Sequence, residues 1–477
     1  MKEEVSVGGF HIPKGIYEEL CRSQHGTPFL VEGRPPSQRA RVALEERWGA
    51  LLVERSDLRM LTTPISDRGR PVYGWFAYKE AFSSELVGRL LRHTQVPSGA
   101  VVVDPFGGTG TVALACREQG LMATSIDQSP LASFVTRAKL GAIECDWGEG
   151  MIALTEELIH ALDLRAALRA PVDVSIWQKG FDSEVAGWLL SAVEFLEDFR
   201  ARGEQPEVVD LVHLALLCIA EEVSHTVKDG TSLRLRPPGR RLGRAGVVKT
   251  PQDVVLRLRA QVGRMAADLK ITHAAPRRSP CPATVVTGDA RELGVLLRPA
   301  SVDMVLTSPP YPNRYDYSSI YTLELLLGFV KNRKELRDLR FKLLRSHLEA
   351  PWPERLHSPR PAVLEILASM LHKGMNSNRN FKMLLGYFED MRRTLEGIAE
   401  ILKPGGRACL VVGNVRLEGE VVPVDLLVAD IAQEVGLETS EILITRYKGT
   451  NSQQALRFGS ARMRESIVCL QRAAVTR

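Results

Sequence analysis

The residues best suited to chemistry form the glycine-rich run Asp104-Pro-Phe-Gly-Gly-Thr-Gly-Thr111. The run follows a β-branched stretch, GAVVV, and precedes the helix-compatible stretch VALACREQGL. Glycine allows a tight turn and a close approach of the backbone to a ligand at a helix N-terminus. The run is neither the dinucleotide pattern G-x-G-x-x-G nor a phosphate loop with Gly-Lys-Ser/Thr. It predicts a cofactor cradle, with a plain strand-to-helix turn as the alternative.

Two further acids follow predicted strands. Asp127 ends the second strand, MATSID, and Asp289 ends the third, ATVVTGD. In a doubly wound sheet, ligands bind at the carboxyl ends of the strands, and the acid after the second strand typically accepts hydrogen bonds from a ribose. Each acid alone could be a solvated strand end. Together with Asp104, they predict a ligand site at one edge of a sheet.

The fourth strand, VDMVL, runs into Thr307-Ser308-Pro309-Pro310-Tyr311. Two consecutive prolines make the strand exit rigid and fix the direction of its carbonyl groups. The tyrosine that follows offers a flat surface for stacking. A fixed acceptor beside a stacking surface can hold a planar base by its amino group, whereas a rigid proline turn with a core tyrosine is the alternative.

These motifs lie on a βαβ pattern that predicts an α/β fold with a doubly wound sheet. Strand patterns occur near residues 100–127 and 283–307, and again at GRACLVVGN, SEILITRY and RESIVCLQR. Between the second and third strands, residues 141–283 contain mainly helical patterns. We therefore expect one α/β domain, residues 71–140 and 284–477, with a large helical insertion, 141–283. Residues 1–70 form an N-terminal segment of unknown role.

The composition is that of an ordinary globular protein. The 477 residues are 44% hydrophobic and 25% charged, which excludes a fibrous or wholly disordered chain. The net charge of +5 permits a nucleic-acid partner without requiring one. The seven cysteines form no zinc-site pattern, so no metal is expected and free thiols indicate a reducing compartment. No stretch is apolar enough to span a membrane, and we expect a cytoplasmic protein.

The motifs DPFGGTGT, SID, TGDAREL and TSPPY, in this order, resemble those of amino-methylating DNA methyltransferases that use S-adenosylmethionine. The serine form S-P-P-Y is similar to the cytosine-N4 branch. The resemblance covers roughly residues 71–140 and 284–472, and it implies a Rossmann-like methyltransferase sheet. It also implies methyl transfer to the N4 amino group of cytosine in double-stranded DNA, in a restriction-modification context.

The resemblance also assigns roles to individual residues. The loop Asp104, Pro105, Phe106, Gly107, Gly108, Thr109 and Gly110 would surround the methionine part of S-adenosylmethionine, with Asp127 on the ribose and Asp289 near the adenine. Lys79, Phe82 and Ser83 would help to close that pocket. Ser308, Pro309, Pro310 and Tyr311 would form the catalytic turn, which accepts the amino hydrogens of a base rotated out of the duplex and stacks on it.

A basic passage in the insertion is the candidate for DNA contact and target recognition. Lys228 to Lys249 contains seven basic residues and one acid, and it is broken by proline and glycine. Such a loop can follow phosphates, and Arg236, Arg240, Arg241 and Arg244 are its candidate DNA-binding residues. A solvated surface loop is the alternative.

Several functional alternatives stay open at this point. Adenine-N6 methylation of DNA and methylation of an RNA base use related motifs on the same fold, although serine at position 308 favours cytosine. The non-enzyme alternative is an inactive DNA-binding subunit, against which the intact acids and S-P-P-Y argue. A cognate restriction endonuclease or another defence-system component is the open choice for a protein partner, and no membrane partner is expected.

Overall fold

A computed structural model describes residues 4–7, 10–22, 38–78, 81–162, 172–229, 232–236, 248–274, 281–357, 359–373, 378–449, 456, 459 and 461–474. Its strands are β1 (Glu4–Val7), β2 (Phe10–Pro13), β3 (Leu52–Glu54), β4 (Val101–Asp104), β5 (Met122–Asp127), β6 (Thr226–Lys228), β7 (Leu233–Leu235), β8 (Ala283–Thr287), β9 (Val302–Thr307), β10 (Leu402–Gly413), β11 (Val415–Leu417), β12 (Glu420–Val422), β13 (Leu437–Lys448) and β14 (Met463–Arg472).

Helices follow the parallel strands β4, β5, β8 and β9, and most of the insertion between β5 and β8 is helical. The helices are α1 (Lys14–Arg22), α2 (Arg39–Trp48), α3 (Ser84–His93), α4 (Thr111–Glu118), α5 (Pro130–Ala142), α6 (Gly148–Ala161), α7 (Ser175–Gly180), α8 (Ser183–Ala201), α9 (Pro206–Ile219), α10 (Pro251–Ala274), α11 (Leu293–Leu296), α12 (Tyr317–Ile320), α13 (Thr322–Leu325), α14 (Arg333–Lys342), α15 (Pro361–His372), α16 (Asn378–Ile401) and α17 (Val424–Glu434). No helix among the described residues is long and apolar enough to cross a membrane.

Eight strands form the central sheet in the order β3-β13-β14-β10-β9-β4-β5-β8. Strand β14 runs antiparallel to both of its neighbours, β10 and β13, while the other pairings are parallel. The parallel strands β9, β4, β5 and β8 therefore point their carboxyl ends to one edge. This arrangement confirms the predicted Rossmann-like sheet and its doubly wound topology.

Both faces of the sheet are covered, because successive residues of a strand point to opposite sides. On β4, the buried Val102 joins one hydrophobic core and its neighbour Val103 joins the other. On β9, Met304 and Leu306 lie in the first core while Val305 lies in the second. The sequences of these strands are therefore continuously apolar because both faces of each strand are buried.

The region 141–283 contains helices α6–α10 and the antiparallel hairpin β6–β7. Its buried side chains, among them Met151, Trp188 and Leu196, share the first core with sheet residues such as Val102. The insertion is therefore packed onto one sheet face and continues the same hydrophobic core.

The N-terminal segment contributes to the same sheet. Strand β3 pairs in parallel with β13, with Leu52 opposite Ile442, and so adds an edge strand. Helices α1 and α2 place Ile16, Leu20 and Trp48 in the second core. No sequence pattern predicted this pairing, because β3 has only three residues and its partner lies almost 400 positions away.

Candidate active site

The glycine loop, Asp104–Gly110, connects β4 to α4 and lies directly against β5 and α5. The backbone N–H of Gly107 donates to the carbonyl of Ile126 at 2.8 Å, and a Cβ at Gly107 would overlap Ser125 Oγ. Gly110 precedes α4 with φ +84°, and a Cβ there would lie 2.7 Å from Thr136 Cγ2. Only glycine fits these two positions, so the loop conformation follows from its sequence.

Asp127 fixes the glycine loop to the end of β5. Its Oδ2 accepts from the N–H of Gly108 at 2.9 Å, and its Oδ1 accepts from the N–H of Ser129 at 2.8 Å. Burial raises the pKa of Asp127 to about 6, although both hydrogen bonds favour the ionised form. Each carboxylate oxygen can accept a further hydrogen bond, which is what a ribose diol requires.

Asp289 is held in place by a charged network. It pairs with Arg291 at 2.6 Å and accepts from Gln128 Nε2 at 3.0 Å. The Arg291 guanidinium also reaches the fully buried Asp390 at 3.2 Å. The Asp289 carboxylate is thus compensated within the protein, and it still lines the cavity described below.

The residue just before the proline turn, Ser308–Tyr311, is joined to the glycine loop by a hydrogen bond. Thr307 Oγ1 donates to Asp104 Oδ1 at 2.6 Å, so the ends of β9 and β4 are fastened together. Burial raises the pKa of Asp104 to about 7, against the hydrogen bonds from Thr307 and from the N–H of Phe106. The Ser308 hydroxyl donates to the carbonyl of Val411 at 3.1 Å, which leaves its oxygen lone pairs as acceptors.

Tyr311 packs between β10 and the rest of the turn. A Cβ on Gly413 would lie 2.8 Å from Tyr311 Cε2, so the glycine on β10 makes room for the ring. Burial raises the pKa of the Tyr311 phenol, and the nearby Glu465 carboxylate raises it further. The ring is therefore held at a fixed position in the cavity wall.

One cavity of about 460 Å³ brings these features together. Most of the predicted site residues line it: Phe82, Asp104, Pro105, Phe106, Gly107, Gly108, Thr109, Asp127, Asp289, Ser308, Pro309, Pro310 and Tyr311. Gly110 is absent from the lining because it caps α4. Ser83 is fully buried and caps α3, with its side chain accepting from the N–H of Leu86. Lys79 lies outside the described residues.

An aromatic wall of the cavity was not predicted from the sequence. Tyr78 and Tyr321 stack with ring centroids 5.0 Å apart, and Tyr78 also faces Gly108. Tyr315 and Tyr317, from the segment after the proline turn, line the same cavity. Tyr315, Tyr317 and Tyr321 belong to the sequence YDYSSIY, whose spacing does not indicate that these residues lie beside the glycine loop.

Two polar features of the cavity were also missed. His347 is 2% exposed, and neither ring nitrogen meets a hydrogen-bond partner within the described part of the chain. Arg446 and Lys448 on β13 both contact Glu465 on β14, and all three line the cavity. Single charged residues near the end of a strand resemble solvated positions in sequence, so no local signal could have found them.

The described cations of the basic passage bind the protein itself. Lys228 pairs with Glu324, Arg234 pairs with Asp229, and Arg236 Nε donates to the carbonyl of Thr226 at 2.7 Å. The predicted DNA-binding residues Arg240, Arg241 and Arg244 lie outside the described residues, and DNA contact by the passage stays a prediction.

The cavity has the properties that S-adenosylmethionine requires. Its volume lies within the range of small-molecule sites. Gly107 and Gly108 let the backbone approach a ligand, and Asp127 offers acceptors for a ribose at the end of β5. The stacked Tyr78 and Tyr321 add an apolar surface beside Gly108. The residues present therefore fit this cofactor.

Comparisons with known proteins agree with this fit. The chain is 26% identical to the Type II methyltransferase M.BsoBI of Geobacillus stearothermophilus over 94% of both chains. It is 28% identical to the Type II methyltransferase M.AvaI of a Nostoc species, over 89% of this chain and 92% of the relative. A shorter match, 37% identical, joins 16% of this chain to 14% of the Type II methyltransferase M.MjaII of Methanocaldococcus jannaschii.

No protein-family model matches the chain. A solved structure of a SAM-dependent methyltransferase from Methanosarcina mazei aligns with 80% of this chain and 97% of that chain at 8% identity, with a TM-score of 0.28 that is too low to bear on the fold. The two relatives that match over almost their whole length are both Type II methyltransferases, which confirms the predicted resemblance to methyltransferases. The chain is thus similar over almost its whole length to the Type II methyltransferases, and its cavity fits S-adenosylmethionine as the cofactor.

Proposed function

We propose that this enzyme transfers a methyl group to the exocyclic N4 amino group of cytosine in double-stranded DNA. The observation that carries the proposal is the hydrogen bond from Thr307 to Asp104, which fastens the proline turn to the glycine loop at one cavity. An amino group held by the turn would face a methyl group held by the loop. The serine of Ser308-Pro-Pro-Tyr supports cytosine as the target base.

DNA is the substrate that we assign on the similarity to Type II methyltransferases. On the same grounds we infer a restriction-modification context, in which a cognate endonuclease would be the functional partner. A base stacked within a duplex could not reach the proline turn inside the cavity, so the target would rotate out of the helix into it.

Position and hydrogen bonding supply the chemistry of the turn. An exocyclic amine is a poor nucleophile because its lone pair is delocalised into the ring. The Ser308 oxygen donates its own proton to Val411 and can therefore accept an amino hydrogen, as can the Ser308 or Pro309 carbonyl. These bonds would localise the lone pair on nitrogen, while Tyr311 stacks on the ring. The bound cofactor would supply an electrophilic methyl group, whose bond to sulfur breaks as the bond to nitrogen forms, and the nitrogen then loses one amino proton. In-line attack of this kind needs no covalent enzyme intermediate.

The modified base tests the proposal directly. The chain is expressed in a host without DNA methylation, and the host DNA is digested and examined by nucleoside mass spectrometry, with sequencing for the context. We expect N4-methylcytosine in one sequence context. N6-methyladenine as the only product would assign the adenine branch, and methylated RNA without methylated DNA would replace the substrate.

The turn residues provide a second test of the proposal. Tyr311→Ala should lose about 1–3 kcal/mol of base stacking, so methylation slows while cofactor affinity barely changes. Ser308→Ala should slow methylation in the same way. Tyr447→Ala, at an exposed tyrosine on β13, is the matched control and should keep the wild-type rate. Wild-type rates in both turn variants would exclude the proposed catalytic role.

A further inference from the structure

A cluster of two cations and one carboxylate, which we call the β13–β14 cluster, borders the proline turn. Glu465 is 3% exposed and contacts Arg446 and Lys448, and its Oε2 accepts from Thr62 Oγ1 at 3.0 Å. Arg446 and Lys448 keep about a quarter and a third of their side-chain surface exposed. The carboxylate is thus engaged on both oxygens, whereas the cations also line the cavity.

The order of strands puts this cluster on the far side of the turn from the cofactor acids. Asp104, Asp127 and Asp289 follow β4, β5 and β8, on one side of β9. The cluster stands on β14 and β13, beyond β10 on the other side. Lys448 Nζ lies 5.6 Å from the centroid of the Tyr311 ring, so the cluster reaches the turn itself. Space between the turn and the cluster is therefore where the target base would enter.

The chemistry of the cluster is that of a hydrogen-bond donor. Arginine and lysine offer only N–H groups, and Glu465 has its oxygens occupied. Beside its amino group, cytosine presents two adjacent acceptors, N3 and O2. Adenine presents only N1 there, followed by a C–H group. Two neighbouring cations can donate hydrogen bonds to both of these acceptors of cytosine. With adenine in the same position, one of the two cations would face a C–H group.

We propose that Lys448 and Arg446 read the acceptor edge of the flipped base and so determine cytosine as the target, with Glu465 as the residue that positions them. The proposal rests on the cytosine-N4 function and deepens it. It differs from the turn chemistry because Ser308 and Tyr311 would contact the amino group and the ring, whereas the cluster would contact the N3 and O2 acceptors.

Binding to matched duplexes tests this assignment. Duplexes with the recognised sequence carry cytosine or adenine at the target position, each opposite an abasic site so that no base pair must be broken. Affinities are measured by fluorescence anisotropy with S-adenosylhomocysteine present. The wild type should prefer cytosine, and Lys448→Met should reduce that preference about 10- to 100-fold, the range for a hydrogen bond to a charged group. Lys448→Arg keeps donors at this position and should retain most of the preference.

Two controls separate the possible outcomes. Lys403→Met removes a lysine that pairs with Asp303 at 2.7 Å at the start of β10, and it should leave the preference unchanged. Calorimetry with S-adenosylmethionine should give wild-type affinity for Lys448→Met. An unchanged preference for cytosine in both Lys448→Met and the double variant with Arg446→Met overturns the proposal. A loss of cofactor affinity with the preference for cytosine intact also overturns it, and would assign the cations to the carboxylate of the cofactor. If the wild type makes no N4-methylcytosine, the proposed function fails first and independently.

Discussion

Among single residues, Gly108 is the position at which both the loop conformation and the space for the cofactor depend on glycine. Its φ is +51°, and a Cβ there would lie 3.2 Å from Tyr78 Cε1. Gly108→Leu should therefore both strain the loop and displace the Tyr78 ring, and calorimetry should detect no binding of S-adenosylmethionine. Gly69→Leu, at an exposed glycine with open space around its Cβ position, should bind normally. Wild-type affinity in Gly108→Leu would exclude the loop as the cofactor site.

Asp104 is the residue whose burial should appear in the pH dependence of stability. Its pKa in the folded protein is about 7, above the value near 4 of an unfolded aspartate. The folded state then binds more protons than the unfolded state between pH 4 and 7. The stabilisation is complete below about pH 4 and is lost as the pH rises through about 7. Asp104→Asn should weaken this decline in the free energy of unfolding.

Urea titrations at several pH values measure that decline. Asp57→Asn is the control, since Arg55 lowers the pKa of this exposed carboxyl and it stays ionised throughout the window. If the free energy of unfolding changes with pH equally in wild type and in Asp104→Asn, Asp104 is already ionised in the folded protein near pH 4.

Between elements, the most telling connection joins the insertion hairpin to the helices after the proline turn. Lys228 at the end of β6 pairs with Glu324 on α13, and both side chains are at least nine-tenths buried. Lys228 Nζ also lies 4.6 Å from the centroid of Tyr321, the ring that stacks on Tyr78. Lys228→Met should leave the Glu324 carboxylate buried without this cation and cost about 3–5 kcal/mol of stability in urea unfolding.

A second substitution makes this prediction specific. Adding Glu324→Gln to Lys228→Met removes the buried charge and should restore part of the lost stability. Arg259→Met breaks an exposed ion pair with Glu156 and should leave stability close to wild type. A double variant that is less stable than Lys228→Met alone would contradict the electrostatic explanation.

For the whole molecule, the question is where the DNA phosphates bind. Lys228, Arg234 and Arg236 each contact the protein, and Arg240, Arg241 and Arg244 are the other arginines of the basic passage. Replacing these three by alanine should weaken DNA binding and reduce the slope of log affinity against log salt by about one unit for each phosphate that is no longer neutralised. Cofactor affinity should stay unchanged.

A charge-matched variant at the amino ends of the strands is the control for this experiment. Arg92 lies in the last turn of α3, Arg298 precedes β9 and Lys403 is the second residue of β10, so all three lie near the amino ends of the strands. Their replacement by alanine removes the same charge and should preserve the slope. If both triple variants give the wild-type slope, the basic passage is solvated surface and DNA recognition lies elsewhere.

The parts of the site that could be predicted from the sequence are those in which local backbone geometry requires particular residues. A positive φ at Gly108 and Gly110 and the lack of space at Gly107 require glycine, and the paired prolines at 309 and 310 make the strand exit rigid. These requirements act within a few residues, so they leave a readable pattern. The apolar runs of the strands were readable for the same reason, since burial on both faces fixes their composition.

The distant residues that complete the cavity could not be predicted in this way. Thr62 bonds to Glu465 across 403 positions of sequence, and Lys448 reaches Tyr311 from another strand. Ser83, expected at the cofactor, instead caps α3. Contacts of this kind depend on strand order and helix packing, which place single side chains together without imposing a repeated pattern on the sequence around them. The residues that line the far side of the turn could therefore be found only after the sheet had been seen.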